Sequence, residues 1–172
     1  MTIFTERMIR AAKLDVDLYE EVEARKELFG QAMGVVVLSS VAAGIGDIAI
    51  LGISGIIWGT IRALVGWFIW SFVTYIVGAK LLPEVQTRAD YGQLLRTIGF
   101  SSSPGIIRVL GIIPGLRYLV SLVAAIWMLI AMIIAVRQAL DYKSTFRAVL
   151  VCLIGWLIMV IISFFLLGFA TQ

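Results

Sequence analysis

Long uncharged stretches, separated by short charged ones, make up most of the chain after residue 29. A bilayer core of about 30 Å takes roughly 20 helical residues to cross. The uncharged runs with their flanks therefore predict spans at residues 61–82, 116–140 and 146–169. Another span begins near residue 31 and ends between residues 46 and 57, where repeated glycines blur its end.

Residues 91–115 are apolar enough to enter a membrane, but five helix-breaking residues interrupt them: Gly99, Pro104, Gly105, Gly111 and Pro114. A broken helix at membrane depth needs protein or water around its freed backbone groups. Ser101, Ser102 and Ser103 stand beside Pro104 and are suited to bond such groups. The pattern predicts a discontinuous third span, and hence about five spans. If this stretch does not cross, there are four.

The first 29 residues are charged throughout and differ from the rest. Helical spacing of Phe4, Met8 and Ala11 predicts one amphipathic helix. Asp17 and Glu20 have capping-box spacing, which predicts a second helix from Leu18. Two interpretations stay open: helices lying on the inner membrane surface, or a docking face for a cytoplasmic partner that includes Asp17, Leu18, Tyr19 and Glu20.

Composition excludes a soluble domain. Apolar residues make up 61% of the 172 residues, charged residues 15%, and the mean hydropathy is +1.03. We therefore predict an all-α integral membrane protein, with a cytoplasmic amphipathic segment at 1–29 and a polytopic helical membrane domain at 30–172.

Histidine is absent and there is one cysteine, Cys152. The commonest haem and metal ligand and proton shuttle is therefore missing. No phosphate-cradling or hydrolase motif occurs either. We predict no catalytic residue, no metal, no cofactor and no enzymatic activity. The pI near 9.2 comes from short loops rather than a basic domain, so nucleic-acid binding is not expected.

The positive charges orient the chain. With five spans and a cytoplasmic N-terminus, eleven of the 14 basic residues lie inside, leaving Arg62, Arg108 and Arg117 outside. This obeys the positive-inside rule and predicts an external C-terminus. With four spans, ten basic residues would lie inside and four outside.

Two motifs resemble those of Yip-one domain (Ypt/Rab-interacting) proteins, and of their prokaryotic branch in particular. The segment LDVDLYEEV at residues 14–22 is similar to the opening "LD…YEEV" of that branch. GFSSSP, from Gly99 and Phe100 to Pro104, resembles the family motif G-[YF]-x-x-x-P. Residues 96–100, 110–115 and 135–141 also resemble the prokaryotic branch.

The resemblance implies five spans, a cytoplasmic N-terminus and a prokaryotic cell (inner) membrane. Eukaryotic relatives are linked to Rab-type GTPases and vesicle traffic through a "DLYGP" motif, where this chain has Glu20 in place of Gly. The resemblance therefore implies an architecture and no particular activity.

Three function hypotheses follow. The first is a non-enzymatic scaffold or adaptor of Yip-one type that organises membrane-protein or lipid partners, or self-associates. The second is a small transporter or channel, which the broken span favours. The third is an accessory subunit of a larger membrane complex. Transporters usually carry ionisable groups on their route, and the four unbroken spans carry charge only at their ends, which favours the scaffold.

Asp47 is the only acidic residue between Glu27 and Glu84. It falls near the outer end of the first span, where an unpaired carboxylate is costly. We predict that it faces Arg62 or Arg108, either as a structural ion pair or as part of a site.

Overall fold

A computed structural model describes the backbone of residues 2–170, and the side chains of all of these except residues 163 and 165–170. The described part is all-helical, as predicted. The α-helices are α1 (Ile3–Ala12), α2 (Val16–Ala24), α3 (Phe29–Gly46), α4 (Ile48–Tyr75), α5 (Tyr91–Phe100), α6 (Arg117–Ala139) and α7 (Thr145–Ala170). A 3-10 turn (Lys26–Leu28) precedes α3, a π-helix (Ile76–Leu81) prolongs α4, and a 3-10 helix (Ser103–Ile112) follows α5.

Within the described residues, four helical segments are long and apolar enough to cross a membrane: Lys26–Gly46, Ile48–Leu81, Arg117–Ala139 and Thr145–Ile162. They correspond to the four unbroken spans predicted from sequence, although the second begins at residue 48 rather than at the predicted residue 61. The count of five is not confirmed. At 10 residues, α5 is about 15 Å long, half of a bilayer core.

The segment formed by α5 and the 3-10 helix nevertheless runs beside α3 in the same direction. Gly99 lies against Ala32 near the start of α3, and Gly111 lies against Gly46 at its end. We call the end of the bundle where α3 begins the proximal end, and the opposite end the distal end. Helices α4 and α6 run antiparallel to α3, and α7 packs against both of them.

The predicted break in the third segment is present. α5 ends at Phe100, and Pro104 stands in the first turn of the 3-10 helix, where its missing N–H costs nothing. Ser101 donates its hydroxyl to the carbonyl of Ile98 at 2.7 Å. As predicted, a serine beside the break forms a hydrogen bond with a backbone group, here a carbonyl in the last turn of α5.

Helices α1 and α2 form a hairpin that packs along the bundle. Leu14, at φ 64°, makes the turn between them. The side chain of Asp15 accepts the N–H of Leu18, so α2 begins at Val16. The predicted start at Leu18 with Asp17 as cap was therefore wrong by two residues, because Asp15 has an equally suitable capping side chain.

Buried side chains of this hairpin and of the bundle form a common core. Phe4 reaches Gly34 of α3, and α2 packs against α5 and α6. The hairpin extends along α6 from Gln138, which bonds Glu20, to Trp127, which bonds Ala12. The bundle therefore covers the buried apolar residues of α1 and α2.

Candidate functional site

Two bundle side chains hold the hairpin in place by bonding the last carbonyls of its helices. Arg96 of α5, only 4% exposed, donates to the carbonyls of Val22 and Glu23 near the end of α2. Trp127 donates to the carbonyl of Ala12, the last residue of α1, at 2.7 Å. A helix C-terminus has unpaired carbonyls and a partial negative charge, so a guanidinium satisfies it in both respects.

The four residues of the predicted docking motif do not share one surface. Leu18 and Tyr19 are fully buried, and the Tyr19 hydroxyl donates to the carbonyl of Ala11 at 3.3 Å. Asp17 and Glu20 are exposed. Leu18 and Tyr19, predicted as interaction or structural residues, therefore have a structural role, because their side chains fasten the hairpin to the bundle.

A network of ion pairs stiffens the hairpin. Arg7 donates two hydrogen bonds to Glu21, at 3.1 and 2.8 Å, and Arg10 contacts both Glu21 and Asp15. The hydrogen bonds from Arg7 lower the pKa of Glu21 below its ordinary value. Arg10 pairs with Asp15 and Glu21 because the turn at Leu14 brings α2 alongside α1.

An acidic patch, formed by Glu20, Glu23, Asp90 and Asp141, lies at the proximal end. All but Glu23 are exposed. Glu23 accepts a hydrogen bond from Gln93 at 3.1 Å. Burial raises the pKa of Glu23 most, and the negative charges of Asp141, Glu20 and Asp90 add to this against the opposing effect of Arg96, so that the pKa is about 7. This carboxyl therefore titrates near neutral pH.

Replacing Glu23 by Gln is expected to remove part of the pH dependence of stability. The folded protein holds a proton on Glu23 that the unfolded chain releases at about pH 4.5, so the wild type loses stability as pH rises from about 4.5 to 7. Glu23→Gln should match the wild type at pH 5 and exceed it at pH 7.5 by roughly 1 kcal/mol, since a partly exposed carboxyl is screened by solvent. Thermal unfolding in detergent at the two pH values measures this.

Glu27→Gln serves as the control, because Glu27 is exposed and lies on the neighbouring 3-10 turn. It should leave the wild-type pH dependence in place. Equal profiles for Glu23→Gln and the wild type would show that Glu23 is charged and solvated in the folded protein.

A cavity of about 720 Å³ lies within the bundle, between α3, α4, α6 and the broken segment. Its polar lining includes five serines, namely Ser39, Ser40, Ser101, Ser102 and Ser121, and three charged residues, Asp47, Arg108 and Arg117. Its apolar lining includes Trp67, Trp70 and Trp156. Ligand pockets of this size with a few convergent polar groups are typical of small-molecule sites.

At the distal edge of the cavity Asp47 pairs with Arg117, whose Nε lies 2.5 Å from its carboxylate. The predicted partners were Arg62 or Arg108, but the ion pair is formed with Arg117, and Arg108 interacts with Asp47 only electrostatically, beyond ion-pair distance. Arg62 is exposed on α4. The side chain of Arg108 turns instead to Met128, while Arg117 opens α6 beside the end of α3. The prediction of an arginine partner was right in kind, because a carboxylate at this depth needs a cation.

A double-mutant cycle on Asp47 and Arg117 is expected to show coupling, with the double variant losing less stability than the two single variants together. The coupling should be modest and should weaken with added salt, because both side chains are about one-third exposed. Asp47→Ala, Arg117→Ala and the double variant would be unfolded in mixed micelles. The matched cycle of Asp47→Ala with Arg62→Ala should be additive. Coupling to Arg62 and additivity with Arg117 would contradict the observed pair.

The family-motif residues pack the broken segment close to α3, beside the cavity rather than in its lining. Gly99 allows close approach, because a Cβ there would lie 2.9 Å from the Cβ of Ala32. Phe100 is fully buried, and Pro104 stands in the first turn of the 3-10 helix that follows the break. Sequence reasoning missed Arg96, Arg117 and Trp127 as contacts. The only signal for Arg96 was an arginine in the middle of an apolar stretch.

The fold and these features first define a class: an all-helical, polytopic integral membrane protein with four membrane-length helices in its described part and a hairpin packed along the proximal half of the bundle. A family model, that of the Yip1 domain, matches residues 22–167. The chain therefore belongs to the Yip1 domain family, as the motifs at residues 14–22 and 99–104 predicted. No curated protein and no solved structure matches the chain.

Proposed function

We propose that this Yip1-domain protein is a non-enzymatic membrane scaffold, or adaptor, that organises protein partners in a prokaryotic cell membrane. Its N-terminus and proximal end face the cytoplasm in this proposal, in keeping with the positive-inside distribution of its basic residues. The observation that carries the proposal is the acidic patch, which sits on elements anchored to the bundle rather than on a loose tail.

The anchoring matters because a fixed surface loses little entropy on binding. Gln138 bonds Glu20 at 2.9 Å and Gln93 bonds Glu23 at 3.1 Å, so two bundle helices hold the patch. Asp90 and Asp141 bring further carboxylates from the loop before α5 and the loop after α6. The patch supports a partner with a basic segment, and it disfavours anionic lipid headgroups through repulsion.

The test is charge reversal. Full-length wild type and the double variant Glu20→Lys with Asp141→Lys would be purified in mild detergent after photo-cross-linking from residue 17, and their bound proteins quantified. We expect a stoichiometric partner that cross-links to the wild type and is lost from the variant. Glu27→Lys, which adds the same kind of charge outside the patch, should retain it. Equal partner recovery from all three would contradict the proposal.

A small transporter is the second candidate, and the cavity favours it, because its wall is a discontinuous segment. Reconstitution of the purified protein in liposomes tests this candidate. Substrate flux from a homo-oligomer without other proteins would support the transporter and contradict the adaptor. Flux no greater than in protein-free liposomes would reject the transporter.

A further inference from the structure

Arg108, a partly buried residue, extends a cationic side chain into the cavity. Its backbone lies against Gly46 at the distal end, but its side chain turns back toward the middle. There Nη2 lies 2.8 Å from the sulfur of Met128. Met128 is the twelfth of the 23 residues of α6, so the guanidinium is halfway along a membrane-length helix. Ionisable groups at such depth mark functional sites by default.

This guanidinium has no strong acceptor among the described residues. Its Nε is buried without a hydrogen-bond partner, and the thioether of Met128 is a weak acceptor. The carboxylate of Asp47 is engaged by Arg117, and no described carboxylate lies within 4 Å of Arg108. Burying a cation in this way is costly unless an acceptor joins it.

The charge balance of the cavity favours an anionic ligand. Two arginines, Arg108 and Arg117, line the cavity against the single carboxylate of Asp47, so the lining carries one net positive charge. The planar fork of donors on a guanidinium matches phosphate oxygens, and arginine is favoured for buried phosphate recognition. Trp70 also lines the cavity, and its Nε1 is buried without a hydrogen-bond partner.

The other walls of the cavity are apolar, and they suit a ligand whose anionic group carries a hydrocarbon part. Met128, Met132 and Leu129 line it from α6, and Trp156 lines it from α7. Leu129 is 49% exposed and Trp156 58% exposed, although both belong to membrane-length helices. The cavity therefore opens sideways, at the level of the bilayer, and gives a lipid access without passing through water.

We propose that the cavity binds a phosphate oxyanion on Arg108, with the phosphate group of an anionic lipid as the occupant that the apolar walls favour. Free inorganic phosphate offers the same oxyanion and is the other source. This inference is independent of the adaptor proposal, because the acidic patch lies on the proximal surface and the cavity lies within the bundle.

The experiment uses the full chain, purified from vesicles of phosphatidylglycerol and phosphatidylcholine in equal amounts, and native mass spectrometry of retained lipid. Wild type should retain phosphatidylglycerol in preference to phosphatidylcholine. Arg108→Gln should retain about tenfold less, the loss expected when charge-assisted hydrogen bonds are removed. Arg62→Gln removes an exposed arginine that does not line the cavity, and it should behave as the wild type.

A second arm separates the two sources. Lipid-depleted protein would be melted in inorganic phosphate and in chloride at equal ionic strength. Stabilisation by phosphate in the wild type but not in Arg108→Gln, without lipid retention, supports the oxyanion site and assigns it to free phosphate. Equal lipid retention and equal phosphate response in wild type and Arg108→Gln would overturn the proposal.

A variant at the mouth of the cavity covers the case in which Arg108→Gln does not fold. Ser121 lines the cavity but is exposed on α6, so Ser121→Trp narrows the opening without disturbing a buried contact. It should lose phosphatidylglycerol while keeping the wild-type melting temperature. Full retention by a folded Ser121→Trp variant would also overturn the proposal.

Discussion

Replacing Gly46 by Ala is expected to lower the free energy of unfolding by about 2–3 kcal/mol, the cost of forcing atoms into a closely packed interface. A Cβ at Gly46 would collide with the backbone carbonyl of Arg108 and would lie 3.5 Å from the Cα of Gly111. Backbone atoms cannot rotate away as a side chain can. The end of α3 and the 3-10 helix would have to separate, which also opens the distal wall of the cavity.

Gly59→Ala is the matched control, because Gly59 lies in α4 and a Cβ there would have no neighbouring atom within 4 Å. There the substitution should be neutral or stabilising by up to about 1 kcal/mol through helix propensity. Both variants would be unfolded under identical detergent conditions. A Gly46→Ala variant as stable as Gly59→Ala would show that α3 and the 3-10 helix do not approach each other closely.

Replacing Arg96 by Met is expected to release the N-terminal hairpin and to destabilise the protein by about 2–3 kcal/mol, the range for hydrogen bonds made by a charged donor. The variant keeps an apolar stem of similar length but leaves the carbonyls of Val22 and Glu23 unpaired. Because those bonds join the end of α2 to α5, limited proteolysis should cut the chain between residues 12 and 28 faster than in the wild type.

Arg88→Met removes an arginine from the exposed loop before α5 and provides the control. It should leave both the melting temperature and the proteolysis rate unchanged. Faster cleavage in both variants would point to a general effect of lost charge. Unchanged cleavage in Arg96→Met would mean that the buried apolar contacts of Leu18, Tyr19 and Val22 hold the hairpin without the arginine.

The helices of the bundle were predictable because charges bound each apolar run, and the break at Pro104 was predictable because proline and serine act locally. The start of α4 was not. Residues 48–60 contain three glycines and were expected to blur the end of the first span, yet only Gly52 leaves the helical region, at φ 62°. Packing against α3, where Ile56 fills the space beside Gly44, sustains the helix beyond it.

The contacts that build the candidate sites could not be predicted from the sequence. Each one joins residues that are far apart in the chain, and each depends on the direction in which one side chain points. Amphipathic spacing showed that α1 and α2 bury one face, but not that α5 and α6 cover it. Asp47 was predicted to face Arg62 or Arg108, whereas the side chain of Arg108 turns toward Met128 and Asp47 pairs with Arg117. No local pattern encodes that choice.

The measurement that tests the fixed placement of the acidic patch most directly is a cysteine cross-link in native membranes. In a Cys152→Ser background, the pair Glu20→Cys and Gln138→Cys would be treated with a short bismaleimide, because Glu20 and Gln138 are hydrogen-bonded at 2.9 Å. Glu20→Cys paired with Arg62→Cys, on the exposed part of α4, is the control. We expect rapid intramolecular cross-linking of the 20–138 pair and none of the 20–62 pair. A 20–138 pair that stays unlinked would contradict the docked hairpin, and with it the fixed surface on which the adaptor proposal rests.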